Sequence, residues 1–335
     1  MSSKPIIGIT MGDPAGIGPE VVVKAATSQR VARLCHPVVL GSYQIIFSAA
    51  RKFLKKATVR RIVWPEDART SRDGINVLDC SGFDHSRIKT GKITKLSGRM
   101  AADLVFCAVQ LALSEQIDAI VTAPLSKKGL RLAGYDFPGH TELLAYLTAT
   151  SSYAMMFVSK RSRVVLVTTH LPLADVARNI SKKMILDKLT VTQTALQRYF
   201  GVKRPKIGVC ALNPHCGEEG ILGSEEKKII IPAIRAAREK GIRADGPFSS
   251  DTIFSPAVSD SFDCILAMYH DQGLIPLKMR GLGEAVNVTM GLPIIRTSPD
   301  FGTALDIAGK GKADPKGMTN AILLAAQMAR RIKKR

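Results

Sequence analysis

The sequence predicts an α/β protein built from two α/β/α domains with largely parallel sheets. Three observations carry that reading. The 335 residues exceed what one hydrophobic core usually organises, so two cores are the natural arrangement. Short apolar runs alternate with amphipathic helical stretches along the chain, the rhythm of repeated strand–helix–strand units. With 46% hydrophobic and 23% charged residues, the composition can fill two such cores.

Residues 5–10 read as the first strand, and residues 21–26 as part of the helix after it. Residues 38–41 read as the next strand. The spacing of Ala101, Val105, Ala108, Val109 and Ala112 makes residues 99–115 a helix with one buried face. A β-branched strand follows at 119–123. Further strands are expected at 164–169, 206–212 and 264–269, with helices at 182–199 and 225–240 between them. A last helix at 320–332 is rich in Ala, Leu and Met. No repeat, low-complexity tract or obvious linker marks a boundary. The Pro/Gly-punctuated stretch 128–139 is the best place for the chain to cross between domains, and the loop after Arg296 for its return. The expected domains are therefore residues 1–128 with 297–335, and residues 129–296.

Composition narrows the function classes. No stretch approaches the roughly 18–20 uninterrupted apolar residues that span a bilayer. The N-terminus lacks the apolar core and cleavage site of a signal peptide, so the sequence reads as cytoplasmic with no membrane partner. Six scattered cysteines without a Cys-x-x-Cys pair read as reduced thiols rather than a disulfide framework. A formal charge of +20 raises nucleic-acid binding, but the basic residues are spread along the chain and aromatics are only 5%. The densest cluster, Arg330-Arg331-Ile332-Lys333-Lys334-Arg335, suits the end of a helix. No nucleic-acid partner is expected. The positive field suits an anionic metabolite instead.

Three expected strands run directly towards histidine: Thr168-Thr169-His170, Leu212-Asn213-Pro214-His215 and Met268-Tyr269-His270. In a parallel sheet the carboxyl ends of strands share one edge, and ligands bind there. Neutral imidazole is a favoured ligand for zinc and similar ions, and three protein ligands leave positions open for substrate. Half of the six histidines sit at such ends, which favours a metal over three ordinary loop residues.

Gly12-Asp13-Pro14-Ala15-Gly16-Ile17-Gly18-Pro19-Glu20 follows the first strand and opens a helix, with Pro19 suited to a first turn. It matches neither Gly-x-Gly-x-x-Gly nor a Walker loop, and a plain tight turn reads equally well. Pro138-Gly139-His140-Thr141-Glu142 precedes an apolar run, as an anion site at a helix N-terminus or as a simple N-cap by Thr141. Residues 278–296 place Lys278, Arg280, Asn287 and Arg296 among glycines. That is a basic loop able to cradle phosphate or carboxylate, or a solvated one.

Together, residues 11–20, Gly139-His140-Thr141-Glu142, Thr169-His170-Leu171-Pro172-Leu173, Leu212-Asn213-Pro214-His215 and Ala267-Met268-Tyr269-His270-Asp271-Gln272-Gly273 resemble one family in order and spacing. It is the 4-hydroxythreonine-4-phosphate dehydrogenase family of vitamin B6 biosynthesis, and the resemblance covers nearly the whole chain. It implies a fold like that of isocitrate and isopropylmalate dehydrogenases, with the active-site cleft between domains. Those relatives share Gly-Ile-Gly-Pro-Glu and a late block similar to residues 302–311. By that likeness Gly302, Thr303 and Asp306 bind the adenosine end of NAD, with Asp306 on a ribose hydroxyl, which favours NAD over NADP.

The resemblance places metal ligands on His170, His215 and His270, for zinc, cobalt or magnesium. It places substrate contacts on His140, Thr141, Lys278, Asn287 and Arg296, with Asp251 as a further pocket residue. It also implies a homodimer with shared active sites, His170 and His270 coming from opposite chains. Lys278 or Asp271 would transfer protons. The implied reaction is NAD-dependent oxidation of 4-phosphooxy-L-threonine at C3, then loss of CO₂ to give 3-amino-2-oxopropyl phosphate. A paralogous dehydrogenase of 4-phosphorylated erythronate or threonate stays open. A metal-dependent phosphatase would not need the block around Asp306. Two residues depart from the family pattern: Phe301 replaces a usual histidine, and Cys216 a usual alanine.

Overall fold

Runs of β-branched and apolar residues become strands in each of two units of a computed structural model, which describes residues 4–71, 73–80, 82, 84–159, 162–279 and 283–334. Arg280 and Arg335 lie outside the described residues. The units are Met1–Thr150 with Leu292–Arg335, and Ser151–Gly291.

The first unit holds β1 (Ile6–Thr10), β2 (His36–Gly41), β3 (Thr58–Ile62), β4 (Gly74–Asp79), β5 (Ala119–Thr122) and β12 (Arg296–Pro299). They lie in the order β3-β4-β2-β1-β5-β12, and every pair is parallel. The helix Lys95–Leu113 starts four residues before its expected position. Thr94 and Ser97 exchange reciprocal capping bonds there, at 3.0 and 3.1 Å. By length and composition this helix could cross a membrane, yet Met100, Ala101, Leu104, Val105 and Ala108 are buried and it packs on β1 and β5.

The boundaries differ from those expected. The crossing falls after Thr150 rather than 128, and the return at Leu292 rather than 297. The reason is packing: the helices Lys127–Leu132 and His140–Leu147 lie against Lys95–Leu113, so they stay with the first unit. His140, Thr141 and Arg296 therefore belong to the first unit, not the second.

The loop after β1 is fixed by close backbone approach. Gly12 has φ +74°, and a Cβ there would sit 2.5 Å from the Pro124 carbonyl oxygen. A Cβ on Gly18 would meet the Met11 carbonyl at 2.3 Å. The loop and the late block are bonded to each other. Ile17 N donates to Thr303 O at 3.0 Å. The buried Glu20 carboxylate accepts from Lys24 Nζ at 2.7 Å, Ala313 N at 2.9 Å and Gly311 N at 3.2 Å. Two motifs nearly three hundred residues apart thus form one structure.

The second unit holds β6 (Ala154–Val158), β7 (Arg163–Leu166), β8 (Lys206–Cys210), β9 (Arg243–Phe248), β10 (Cys264–Ala267) and β11 (Val286–Met290). Their order is β11-β6-β7-β10-β8-β9. β7, β10, β8 and β9 are mutually parallel, while β6 runs antiparallel to β7 and β11 antiparallel to β6. Phe157, Val164, Leu166, Ile253, Ile265, Leu274 and Leu277 form its core. The basic-loop reading of 278–296 is overturned here. Lys278 ends a helix, and Asn287 and Arg296 lie in fully buried strands. Val286, Val288 and Met290 pair along β6, so burial wins over the flanking glycines.

Glu20→Ala would leave two backbone N–H groups without their acceptor and Lys24 without its carboxylate, although Lys24 Nζ keeps the Gly311 and Ala313 carbonyls at 3.1 and 2.9 Å. We expect it to cost about 2–4 kcal/mol. In urea unfolding the midpoint should fall with an unchanged slope. A loss under about 0.5 kcal/mol would show that the clasp contributes little.

Candidate functional site

The three histidines are placed by adjacent strands. β7, β10 and β8 are neighbours in that order and parallel, so their carboxyl ends share one edge. Each strand stops two or three residues before its expected end, as the chain leaves the ladder towards its histidine. Buried Gln272 holds this departure in place. Its Oε1 accepts from Met268 N at 2.6 Å, and its Nε2 donates to Ala211 O at 2.6 Å and Ser250 Oγ at 2.7 Å. Thr168 Oγ1 adds a bond to Met268 O at 2.8 Å.

His170 and His270 come together, their ring centroids 6.2 Å apart. With metal–nitrogen bonds of about 2.0–2.1 Å, two rings at this spacing can reach one ion. His270 Nδ1 lies 2.6 Å from Asp271 Oδ1. A carboxylate on Nδ1 fixes the tautomer that offers Nε2 to a metal, so the donor chemistry fits a divalent ion. His215 is not gathered with them. Among the described residues, no group of three His, Cys, Asp or Glu lies at metal-binding spacing. His215 instead begins a turn with left-handed backbone at His215, Cys216, Glu218 and Glu219, where φ runs from 39° to 57°. Glu226, which the sequence reading missed, braces that turn. It accepts from Leu212 N and Asn213 N, both at 2.8 Å, and from Asn213 Nδ2 at 3.0 Å.

Asp251 is exposed and neighbours His215; hydrogen bonds from Ser249 and Thr252 hold its carboxyl below the usual range. Asp271 is exposed and positions His270. Lys278 is half-buried on the same helix, eight residues on and so about 12 Å along the axis from His270.

In the first unit Arg296 is 2% exposed. Its Nη2 and Nε donate to Thr122 Oγ1 at 2.7 and 3.2 Å. Burial pushes its pKa down to about 9, against the opposing pull of Glu142. His140 is held well below its ordinary 6.5, by burial first and by the Arg296 charge second. Thr141 is buried inside the first turn, and Gly139 is the N-cap, so the capping role expected of Thr141 is not observed.

Five buried side-chain atoms have no hydrogen-bond partner among the described residues, and two belong to expected substrate contacts: His140 Nε2 and Asn287 Oδ1. Such an atom costs about 1–3 kcal/mol and calls for an explanation. A ligand that bonds to it supplies one. Asp13 Oδ2 is a third, missed from sequence; burial raises its pKa while Oδ1 accepts from Ala15 N at 2.9 Å. Its signal was the Asp-Pro pair in the first loop.

A cavity of about 250 Å³ lies beside the first loop. Pro14, Gly16, Pro19 and Glu20 line it with Lys52, Phe53, His85, Thr90 and Gly309. Gly309 belongs to the late block expected to bind the cofactor, and Thr303 bonds the loop itself. Gly302 and Asp306 are exposed and outside this lining, and Phe301 is half-buried.

The His140 shift sets a pH dependence. Its native pKa lies below the unfolded value, so on acidification the unfolded chain gains a proton that the native state refuses. Stability is retained above about pH 6.5 and falls below it, by up to about 1.4 kcal/mol per pH unit. His140→Gln should flatten this slope between about pH 6.5 and 5 in denaturant unfolding. An unchanged slope would show that the ring titrates normally.

A family model described as pyridoxal phosphate biosynthetic protein PdxA matches residues 33–325. A 4-hydroxythreonine-4-phosphate dehydrogenase of Desulforapulum autotrophicum is 43% identical over 327 residues, 98% of this chain and 96% of the relative. A D-threonate 4-phosphate dehydrogenase of Cupriavidus necator is 44% identical over 328 residues, 98% of each chain. The crystal structure of a 4-hydroxythreonine-4-phosphate dehydrogenase from Klebsiella pneumoniae superposes with a TM-score of 0.90 at 41% identity, covering 97% of this chain and 98% of that one. With the histidine edge, the buried arginine and the clasped loop already in place, these matches show that the chain belongs to the PdxA family of pyridoxal phosphate biosynthetic proteins.

Proposed function

We propose that the chain is a cytoplasmic, metal-dependent, NAD-linked dehydrogenase. It oxidises 4-hydroxythreonine 4-phosphate at C3, and the resulting β-keto acid loses CO₂ to give 3-amino-2-oxopropyl phosphate. The observation that carries the reading is the pair of buried, unpartnered atoms, His140 Nε2 and Asn287 Oδ1, at positions the family assigns to substrate. Next to His140, the Arg296 guanidinium offers a planar fork suited to a phosphate or carboxylate. An anion there would offset the burial that depresses Arg296.

His170 and His270 would hold the metal, with His215 the third ligand that the resemblance assigns, although it is not gathered with them here. When bound, a divalent ion such as zinc, cobalt or magnesium supplies Lewis-acid stabilisation of charge developing at the C3 alcohol, while NAD accepts hydride. Asp271 keeps His270 in the tautomer that presents Nε2. Thr141 and Asp251 complete the substrate contacts. Lys278, half-buried and protonatable, is the proton-transfer group, and Asp271 serves orientation. Gly302, Thr303 and Asp306 take the adenosine end of the cofactor. The 44% identical D-threonate 4-phosphate dehydrogenase supports a second reading with the same site and a hydroxyl in place of the substrate amine.

A panel of 4-hydroxythreonine 4-phosphate, D-threonate 4-phosphate and D-erythronate 4-phosphate, each with NAD and NADP, tests these readings. Reduced cofactor and released CO₂ should be greatest for 4-hydroxythreonine 4-phosphate with NAD. Chelation should abolish turnover, and zinc, cobalt or magnesium should restore it to differing degrees. Higher kcat/KM on D-threonate 4-phosphate would replace the substrate assignment. Full turnover in a metal-free preparation would remove the metal.

The site is shared in a homodimer on this reading. Mixed His170→Ala and His270→Ala chains, each nearly inactive alone, should then recover up to about a quarter of the sites after random exchange, by the open-site logic of three metal ligands. No recovery with exchange confirmed would place both ligands in one chain, an arrangement the 6.2 Å ring separation also permits.

A further inference from the structure

The six cysteines read from sequence as reduced thiols rather than a disulfide framework, but two of them meet. Cys80 follows β4 directly and Cys107 lies on the helix Lys95–Leu113, and their Sγ atoms are 2.7 Å apart. Both side chains are half-buried, so small oxidants can reach them. A disulfide needs an S–S distance of about 2.05 Å. We propose that Cys80 and Cys107 form a reversible dithiol–disulfide couple, a modification site at the root of the segment that carries His85, Ile88 and Thr90 into the cavity lining.

The two thiols are chemically unequal. The hydrogen bond between them pulls the Cys107 pKa down and, together with burial, pushes the Cys80 pKa up. Cys107 therefore reaches the thiolate first and is the nucleophile, with Cys80 as the resolving thiol. With a peroxide as oxidant, the Cys107 thiolate attacks one oxygen and the O–O bond breaks. The hydroxide released takes up a proton and leaves as water. The Cys80 sulfur then displaces the sulfenyl hydroxyl of Cys107, forming the S–S bond, and its proton departs in a second water. Two thiols lose two electrons and two protons, and the peroxide becomes two waters. A low-molecular-weight disulfide does the same by exchange, leaving as two thiols.

The bond would close the chain between residues 80 and 107. Within that stretch His85, Ile88 and Thr90 line the cavity, and Gly91 N donates to Ala15 O of the first loop at 2.7 Å. Oxidation thus ties the wall of the cavity to the helix behind it. Cys210 neighbours both Cys216 and Cys264, but Cys35, Cys210 and Cys264 are buried, and Cys216 bonds the Pro247 carbonyl at 3.5 Å.

The test treats the full chain with hydrogen peroxide, then unfolds and alkylates it. Cys80 and Cys107 should both escape alkylation, and their linkage should remove two hydrogens from the mass, apart from any oxygen gained at Cys216. Trypsin should release residues 73–87 and 100–127 as one linked species that separates on reduction. In Cys80→Ser, Cys107 should accumulate as a sulfenic acid trapped by dimedone, with no linked species. Half-buried Cys216 is the internal control for oxidant access. If Cys216 is oxidised while Cys80 and Cys107 both remain alkylatable, the couple does not exist. A linked species joining either residue to another cysteine would overturn the pairing equally.

Discussion

Wherever this chain leaves a strand or opens a loop, its backbone N–H and C=O groups lose their ladder partners, and burial makes that loss expensive. At three such points buried polar side chains take the place of the missing partners. Gln272 bonds Met268 N and Ala211 O, where β10 and β8 end. Glu226 bonds Leu212 N and Asn213 N, where the chain turns towards His215. Glu20 bonds Gly311 N and Ala313 N, where the late block meets the first helix. These three side chains brace the chain where it turns towards the histidines and where the glycine loop meets the late block.

Against that background the unsatisfied atoms gain meaning. Among the described residues His140 Nε2, Asn287 Oδ1 and Asp13 Oδ2 are buried and unpaired, as are Thr10 Oγ1 and Arg163 Nε. Asp13 follows the parallel strand β1, Asn287 lies in β11, and His140 lies beside buried Arg296. Burial also keeps His140 neutral and works against the charge on Arg296. An anionic ligand relieves both penalties at once, because it offers acceptors to the guanidinium and lowers the local positive potential.

The α/β class, the parallel strands ending in histidine and the two glycine-bounded blocks were legible because each depends on residue type and short spacing. Six strands were not. Thr58–Ile62 and Arg296–Pro299 are polar in composition, and Arg243–Phe248 carries a Gly-Pro pair, so apolar patterning does not reveal them. Asn287 and Arg296 were read as part of a basic loop, yet both lie in buried strands. Their burial is decided by partners far along the chain, Phe157 in β6 and Ile120 in β5. The supporting residues were the hardest to find. Glu226 and Glu20 look like ordinary helix carboxylates until the fold places backbone donors in front of them.

The turn at His215 shows why such support is necessary. Four non-glycine residues there adopt left-handed backbone, at roughly 1–2 kcal/mol each. Glu226, 1% exposed, accepts three hydrogen bonds at the base of the turn, each to a charged group and so contributing about 1.5–3 kcal/mol. The two totals are comparable, so the turn persists because one buried carboxylate over-determines it. A relaxed connection from β8 would continue in extended backbone and move His215 out of the turn it now begins. Strain at His215 and burial of Glu226 are therefore a single device. Loss of the carboxylate would release the turn, even though Glu226 bonds only the backbone and Asn213 at its base, not the imidazole.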